Sequence, residues 1–402
     1  MTNTDLKVIA PTRKHLPELV DLSAKVFSGS GYYRMRDHCL KGYLKDSHYD
    51  WNVSRIGIAD GRIITHFGVW DFQMRVGLAD LRTAGVGLVA TDNDYRNRGL
   101  LSKTARPSIA AMLQAGYDIS LLYGKENLYH RYNYVRSWAD VSYIIQTADL
   151  PDKKVAGIKR FKLVYDQRRA DLYNRWHAGL SGTAVRPTYP LAGSPLDFQG
   201  YQWMDARGGL AGYVVVMPDK GNAARLICID SAGEPTEILR AVGQLARKLN
   251  CNNVRFKSMH ERSRLAGIIR RGNVFVEQNY RRNGGPMART INLKSCLTKI
   301  APELSRRLED SALADLAGRL GLSDGMDKVT LDIAKGHVTV SDADAGTNTI
   351  IANDAAVQFL LGTADAAEII ESNNIETTSQ AKQLAKVLFP AQQPILSGWD
   401  FF

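Results

Sequence analysis

The sequence contains few cysteines and no long apolar run. Of its 402 residues only 4 are cysteines, and they lie far apart without a CxxC pair or a Cys/His cluster: Cys39, Cys228, Cys251 and Cys296. A disulfide framework and a metal site are therefore not expected, and the thiols are predicted to be reduced and mostly buried. No stretch of about eighteen apolar residues occurs, so the sequence predicts no membrane-spanning helix. Because the first residues also lack the apolar core of an export signal, we expect a cytoplasmic protein.

The positive charge is spread unevenly along the chain. The formal net charge is +11, yet residues 305–402 contain 7 Lys and Arg against 14 Asp and Glu, a net charge of −7. The remaining residues carry +18, and this change of sign predicts a domain boundary near residues 293–304. The basic side chains are scattered and are not interleaved with aromatics, so a nucleic-acid partner is not expected. A polyanionic cofactor or an acidic acceptor would match the same charge.

The order of predicted elements divides the chain into three regions, which excludes a single small module. Region one, residues 1–148, alternates strands with amphipathic helices and ends with a helix at 99–115, a strand at 119–123 and a strand at 138–146. Region two, residues 149–292, contains a linker at 181–196 and then repeats a strand, strand, helix, strand order. Region three, residues 293–402, is predicted to be a small α+β unit whose aromatic end is docked. The expected fold class is α/β.

One segment, residues 87–103, carries the clearest chemical signal, with the sequence GLVATDNDYRNRGLLSK. An apolar strand ends in a polar turn, and the turn enters a helix through Arg96, Arg98 and Gly99. A helix start offers free backbone N–H groups and a positive dipole end, and glycine permits close approach, so the segment is predicted to hold a pyrophosphate. The spacing is neither GxGxxG nor GxxxxGK[ST], which argues against a dinucleotide or a nucleoside triphosphate and favours acyl-CoA.

Several motifs together resemble the coenzyme A site of the GCN5-related N-acetyltransferases (GNATs). The strand is followed by Arg96-x-x-Gly99-x-Leu101 at a helix start, then by ISLLY at 119–123 and LYHRYNY at 128–134. The family has Gly or Ala where this sequence has Leu101, which leaves less room there, and Pro107 would allow a kinked helix.

The order of the three regions is similar to that of the enhanced intracellular survival (Eis) acetyltransferases. This resemblance implies a catalytic GNAT domain at residues 1–148, a second, degenerate GNAT-like domain at 149–292 and a sterol carrier protein-like α+β domain at 293–402. It also implies a homo-oligomer and an acetyl-CoA-dependent transfer to an amine, with no metal. The acceptors implied include aminoglycosides and protein lysines, while the charge of +18 leaves peptides, polyamines, amino sugars and acidic amines open.

The same resemblance implies which residues contact acetyl-CoA. Those on the strand would meet the thioester and pantetheine, those in the turn would hold the pyrophosphate, and those after the fifth strand would line the other side of the pantetheine. In that order they are Val89, Ala90 and Thr91; Asn97, Arg98, Gly99, Leu100, Leu101 and Ser102; and Gly124 and Lys125.

The chemistry needs an acid for the departing thiolate and a base for the attacking amine. Tyr129 matches the family's acid, with Tyr132 as the alternative and with ordinary core packing as the other interpretation. In the Eis family the base is the chain's own terminal carboxylate, which here belongs to Phe402. The other candidates for the base are His130, Glu126 and a water chain, and the terminal aromatics could instead only pack on a surface.

Two further features and two competing functions stay open. The segment Trp70-Asp71-Phe72 and the segment at residues 27–33 could contact the acceptor or could serve ordinary packing, whereas His38 and His66 are expected to be structural. A non-catalytic protein that holds an apolar ligand in region three is the alternative, and it would show an open cavity there and no access from the C-terminus to the cleft. The departure at Leu101 also leaves a longer acyl-CoA open.

Overall fold

The computed structural model describes residues 5–29, 31–44, 47–125, 127–188 and 198–402. Within these ranges the chain forms three β-sheets with helices packed against them. The strands are β1 (Lys7–Ile9), β2 (Arg55–Ala59), β3 (Arg62–Val76), β4 (Ala79–Thr91), β5 (Ile119–Lys125), β6 (Val135–Arg136), β7 (Asp140–Gln146), β8 (Lys159–Phe161), β9 (Ala184–Val185), β10 (Gln199–Met204), β11 (Leu210–Asp219), β12 (Asn222–Gly233), β13 (Asn253–Lys257), β14 (Phe275–Asn279), β15 (Asn283–Thr290), β16 (Gly318–Ser323), β17 (Lys328–Ala334), β18 (His337–Ser341) and β19 (Thr349–Ile351).

The helices cover the sheet faces and present their apolar sides to the core. They are α1 (Leu16–Phe27), α2 (Tyr32–Gly42), α3 (Leu100–Gln114), α4 (Gln167–Trp176), α5 (Pro235–Lys248), α6 (Arg264–Ile269), α7 (Leu293–Glu309), α8 (Ala356–Leu361), α9 (Ala366–Ser372) and α10 (Ser379–Leu388). Helix α3 continues through Pro107, where a kink was a possibility raised by the sequence. In the described part of the chain, no helix is both long and apolar enough to cross a membrane. All four cysteines are buried and unpaired, as predicted.

The first two sheets share one arrangement, which confirms the α/β class with two tandem GNAT-like units. In the first sheet β3 and β4 are antiparallel, α3 follows, and β5 returns parallel to β4. In the second sheet β11 and β12 are antiparallel, α5 follows, and β13 returns parallel to β12. The strand orders are β1-β2-β3-β4-β5-β15-β6, with β9 also on β3, and β14-β7-β13-β12-β11-β10-β8.

The two sheets exchange strands across the predicted boundary at residue 148. Strand β7, expected to complete region one, pairs with β13 and β14 in the second sheet. Strand β15, from the end of region two, pairs with β5 and β6 in the first sheet. An alternating apolar pattern specifies that a segment is a strand but not which neighbour it pairs with, so the exchange could not be predicted from the sequence. Regions one and two are therefore interlocked.

Region three has its own four-stranded sheet, in the order β18-β17-β16-β19. Helix α7 packs on that sheet and also reaches the first sheet, where the side chains of Ser295 and Lys299 both donate to Asp118. From Phe389 the chain leaves this unit and returns along region two, with Phe389, Ile395 and Leu396 buried. The end of the chain is docked, as predicted.

Candidate active site

The site lies where β4 and β5 separate. Their parallel pairing runs from Thr83 with Ile119 to Val86 with Leu122, whereas β4 continues to Thr91 and β5 to Lys125. The gap opens into a cavity of about 880 Å³. Its walls come from β4, the turn after it, the start of α3, the segment after β5 and the C-terminal residue.

A bulge in β4 shapes the wall of this cavity. The register with β3 shifts between His66 and Gly68, and Leu88 takes a left-handed φ of 44°. The Nδ1 of His66 donates to the Leu88 carbonyl at 2.8 Å, and its Nε2 accepts from the Tyr49 hydroxyl at 2.8 Å. Burial lowers the pKa of His66 to about 4, so the ring is neutral and one tautomer satisfies both bonds. His66 therefore fixes the bulge and is structural, as expected.

The predicted phosphate-binding turn, residues 97–102, leads from the end of β4 into α3. Asn97 and Gly99 both have positive φ, 62° and 71°, and Gly99 is the N-cap of α3. A side chain at Gly99 would meet nothing within 4 Å, so its backbone faces open space. Arg96 lines the cavity here, whereas the guanidinium of Arg98 turns back and donates to the Asp94 carbonyl at 2.8 Å.

Most of the residues that the resemblance implies for acetyl-CoA come together around this cavity. Those lining it are Val89, Ala90, Thr91, Asn97, Gly99, Leu100, Leu101, Ser102 and Lys125. Arg98 and Gly124 do not belong to this lining. A Cβ on Gly124 would lie 2.7 Å from a ring carbon of Tyr129 and from the Met287 sulfur, so Gly124 is a packing position behind the wall.

Tyr129 and Tyr132 both line the cavity but have different surroundings. The Tyr132 hydroxyl is 2.8 Å from the Ser102 hydroxyl, in the first turn of α3. Tyr129 is 8 % exposed, and burial is the first cause that raises the pKa of its phenol. The Tyr129 hydroxyl is protonated at neutral pH, as a tyrosine with an ordinary pKa near 10 also is, and this is the state that a proton donor requires.

The C-terminal residue Phe402 lies directly against β4. A Cβ on Gly87 would lie 3.2 Å from both the terminal carbon and the oxygen of Phe402, so the carboxylate faces the strand at the bulge. A Cβ on Gly85 would lie 2.6 Å from the Phe402 ring. The ring also packs against Phe72 and Tyr123, with centroids 5.8 and 5.9 Å away. The terminal carboxylate and Tyr129 therefore belong to one cavity.

The remaining candidates are the segments that could contact the acceptor and the alternative bases. Phe72 packs on Phe402, whereas the neighbouring Asp71 forms an ion pair with Arg82 at 2.8 Å. Phe27 lines the cavity, and Tyr33 is 82 % exposed. His130 is absent from the cavity lining. Glu126 and the part of the predicted linker at residues 189–196 lie outside the described residues.

The sequence analysis missed the residues that anchor the end of the chain. Asp400 is fully buried and accepts from Arg186 Nε at 3.0 Å, from Arg186 Nη2 at 2.9 Å and from the Thr188 hydroxyl at 2.8 Å. Arg186 also donates to Asp230 of β12 at 2.9 Å. The only available signal was an acidic residue between the aromatic residues of the last four positions.

Comparison with known proteins agrees with this geometry. Residues 7–136 match the family model for an acetyltransferase (GNAT) domain. No curated protein shows significant sequence similarity to the chain.

Solved structures share the fold of the whole chain. A conserved protein of unknown function from Enterococcus faecalis V583, described as a probable N-acyltransferase, is 19% identical with a TM-score of 0.77, over 100% of both chains. A GCN5-related N-acetyltransferase from Anabaena variabilis is 14% identical with a TM-score of 0.76, over 99% of this chain and 100% of that one. Eis1 from Mycobacterium abscessus is 14% identical with a TM-score of 0.67, over 98% of each. Residues 7–136 are therefore similar to an acetyltransferase (GNAT) domain, and the chain as a whole shares the fold of these solved structures.

Proposed function

We propose that the protein transfers an acetyl group from acetyl-CoA to a primary amine, with Tyr129 as the acid and the terminal carboxylate of Phe402 as the base. One observation carries the proposal. The phosphate-binding turn, the separated strands, the Tyr129 side chain and Phe402 all line the same cavity of about 880 Å³.

The position of the cavity between the strands and its charged lining support acetyl-CoA as the ligand. Three cationic side chains line it, Arg96, Lys125 and Arg131, and they suit the phosphates of the substrate. The gap between β4 and β5 would receive the pantetheine, because their edges carry backbone groups that stop pairing beyond Val86 and Leu122. Val89, Ala90 and Thr91 would then contact the thioester and the pantetheine, and the turn from Asn97 to Ser102 would contact the pyrophosphate.

The two proposed catalytic groups divide the proton transfers. The amine nitrogen attacks the thioester carbonyl, a C–N bond forms and the C–S bond breaks. The CoA thiolate takes a proton from the Tyr129 hydroxyl, and the Phe402 carboxylate takes the proton that the amine loses. As the products leave, the proton on the Phe402 carboxyl passes through water to Tyr129, which restores both groups.

The acceptor is proposed only as a class. Aminoglycosides, protein lysines, polyamines and amino sugars all carry the required amine, and the terminal carboxylate at the bulge would attract it. We also propose that region three is a sterol carrier protein-like unit that delivers the C-terminus and that a homo-oligomer acts in the cytoplasm. The proposed domain boundaries near residues 148 and 292 divide the chain along its sequence, while β7 and β15 pair across the first of them.

The alternative of a non-catalytic binder of apolar ligands requires that the C-terminus has no access to the cleft. Phe402 lines the cavity instead, which favours the transferase.

The test is thiol release from acetyl-CoA against a panel of aminoglycosides, polyamines, amino sugars and lysine peptides. The native chain should turn over at least one amine, and Tyr129→Phe should lower kcat at least tenfold with little change in the KM for acetyl-CoA. Deletion of Phe402 should lower kcat as well, because the terminal carboxylate then moves back by one residue.

Calorimetry with acetyl-CoA separates the ways in which the proposal can fail. If acetyl-CoA does not bind, the cavity assignment is wrong and the binding-protein alternative is favoured. If it binds but Tyr129→Phe retains full turnover, the acid is Tyr132 or water. If turnover survives deletion of Phe402 with the fold intact, the terminal carboxylate is not the base.

A further inference from the structure

We propose that Arg186 of region two is a positioning residue that fixes the C-terminal carboxylate in the active site through a buried ion pair with Asp400. In this view the second GNAT-like sheet holds the end of the chain where a related sheet holds acetyl-CoA. The catalytic part of the inference depends on the proposed role of Phe402, whereas the anchoring part does not.

The second sheet has a gap like that of the active site. The parallel pairing of β12 with β13 ends at Cys228 and Phe256, while β12 continues to Gly233. The small cavity at this gap is lined by β12 and β13 together with two residues of the chain end, Ile395 and Ser397. The chain end therefore lies beside the gap between these strands, where the Ser397 hydroxyl donates to the Ile229 carbonyl at 3.3 Å.

The helix after this gap is unsuited to phosphates. Helix α5 begins after Glu234 and has Pro235 at its first position, where α3 has the turn with Arg96 and Gly99. Proline lacks the N–H that would contact a phosphate, and the glutamate carboxylate would repel one. We therefore expect no phosphate ligand at the start of α5 that would displace the chain end.

The anchor itself is buried and multiply bonded. Arg186 uses Nε and Nη2 for Asp400, and Nη1 for Asp230 at 2.9 Å and for the Tyr213 hydroxyl at 2.7 Å. Its guanidinium carbon lies 3.4 Å from the centroid of the Tyr173 ring. Planar stacking and a two-bond contact with one carboxylate leave the guanidinium a single orientation.

The anchor lies close enough to the reaction to control it. Only Phe401 separates Asp400 from Phe402, so the carboxylate lies within roughly 7 Å of the anchored residue along the chain. A displacement of about 1 Å at a reacting group can lower the rate about a hundredfold. Phe401 and Phe402 are only partly buried, whereas Asp400 is fully buried.

Asp400→Asn tests this anchor with little damage to the core. Arg186 keeps its bonds to Asp230, so no buried charge is left without a partner. The control is Asp332→Asn, which removes the same charge from an exposed ion pair with Arg319 in region three. Thr188→Val is a milder second variant, because it removes only the hydroxyl bond to Asp400.

Two readouts are compared in the full-length chain. The first is kcat and the KM for acetyl-CoA with an amine found in the panel, and the second is the rate at which a carboxypeptidase releases the terminal phenylalanine. Asp400→Asn should lower kcat at least tenfold, leave that KM within twofold and speed phenylalanine release at least tenfold. Thr188→Val should shift both readouts in the same direction by less, and Asp332→Asn should change neither.

The outcomes separate this inference from the proposed function. Unchanged phenylalanine release in Asp400→Asn and Thr188→Val overturns the anchor, whatever happens to kcat. Faster release with an unchanged kcat supports the anchor but shows that the terminal carboxylate is not the base.

Discussion

The replacement Gly85→Ala is a steric test of where the end of the chain lies. Gly85 pairs with Trp70 on β3 and with Leu121 on β5, and its backbone accepts alanine because its φ is not positive. The new Cβ would lie 2.6 Å from Phe402 Cδ1 and 2.7 Å from Cγ, and ordinary contact begins at 3.4 Å. The Phe402 ring must therefore move by about 1 Å, and the attached carboxylate moves with it.

The expected loss of kcat in Gly85→Ala follows from this displacement of the Phe402 carboxylate. A shift of about 1 Å in a reacting group costs about a hundredfold in rate, which corresponds to about 3 kcal/mol in the barrier. The KM for acetyl-CoA should change little, because the phosphate-binding turn at Asn97 to Ser102 is not touched. Overpacking should also lower the free energy of unfolding by about 1–3 kcal/mol.

The assay is steady-state thiol release with an amine accepted in the panel, together with chemical denaturation. The matched control is Gly267→Ala in α6, where the added Cβ would meet nothing within 4 Å. Alanine is a better helix former than glycine by about 1 kcal/mol, so this control should be at least as stable as the native chain and fully active.

A double-mutant cycle tests whether the Phe402 ring causes the loss of kcat in Gly85→Ala. Phe402→Ala removes the ring and keeps the terminal carboxylate, so Gly85→Ala should cost far less in that background. If Gly85→Ala alone retains full kcat, or if the two losses simply add, the contact between Gly85 and Phe402 does not control the reaction and the reasoning is refuted.

Three further outcomes are expected. Tyr132→Phe should raise the KM for acetyl-CoA several-fold with kcat nearly unchanged, because the Tyr132 hydroxyl bonds to Ser102 at the start of α3. A fall in kcat without a change in KM would indicate that Tyr132, and not only Tyr129, acts in the proton transfer. Arg96→Met should weaken acetyl-CoA binding and reduce its dependence on salt, as measured by calorimetry at two ionic strengths, and an unaltered salt dependence would place Arg96 away from the phosphates. Burial lowers the pKa values of His66 and His260 to about 4, so each contributes stability that is fully present above about pH 6.5 and is lost as the pH falls towards 4. The loss should reach about 3 kcal/mol per histidine in denaturation at pH 7, 5.5 and 4, and a flat profile would show that these rings are not held neutral.

The turn after β4, the helix that follows it and β5 could be predicted from the sequence, because each depends on residues that are close together along the chain. The turn after β4 needs residues that accept positive φ, and Asn97 and Gly99 are residues of this kind. The helix at residues 99–115 and the strand at 119–123 follow from their apolar periodicity, and the structure confirms both to within a few residues. The motifs that resemble the acetyltransferases all lie within residues 87–134.

Pairings between distant segments required the tertiary structure. A strand pattern states which face is apolar and leaves the partner open, so the exchange of β7 and β15 between the sheets could not be read. The same holds for the ion pair of Arg186 with Asp400, which are 214 positions apart.

By itself, the sequence determined the class of the fold and the turn between β4 and α3, because short-range periodicity and backbone preference encode them. The candidate acid, Tyr129, came from the resemblance to a family and stays a prediction. Only the tertiary structure decided that the last residue lies against Gly85 and Gly87 and that region two anchors it. The physical reason is that burial of Asp400 depends on groups supplied by Arg186 and Thr188, and their position exists only after the whole chain has folded.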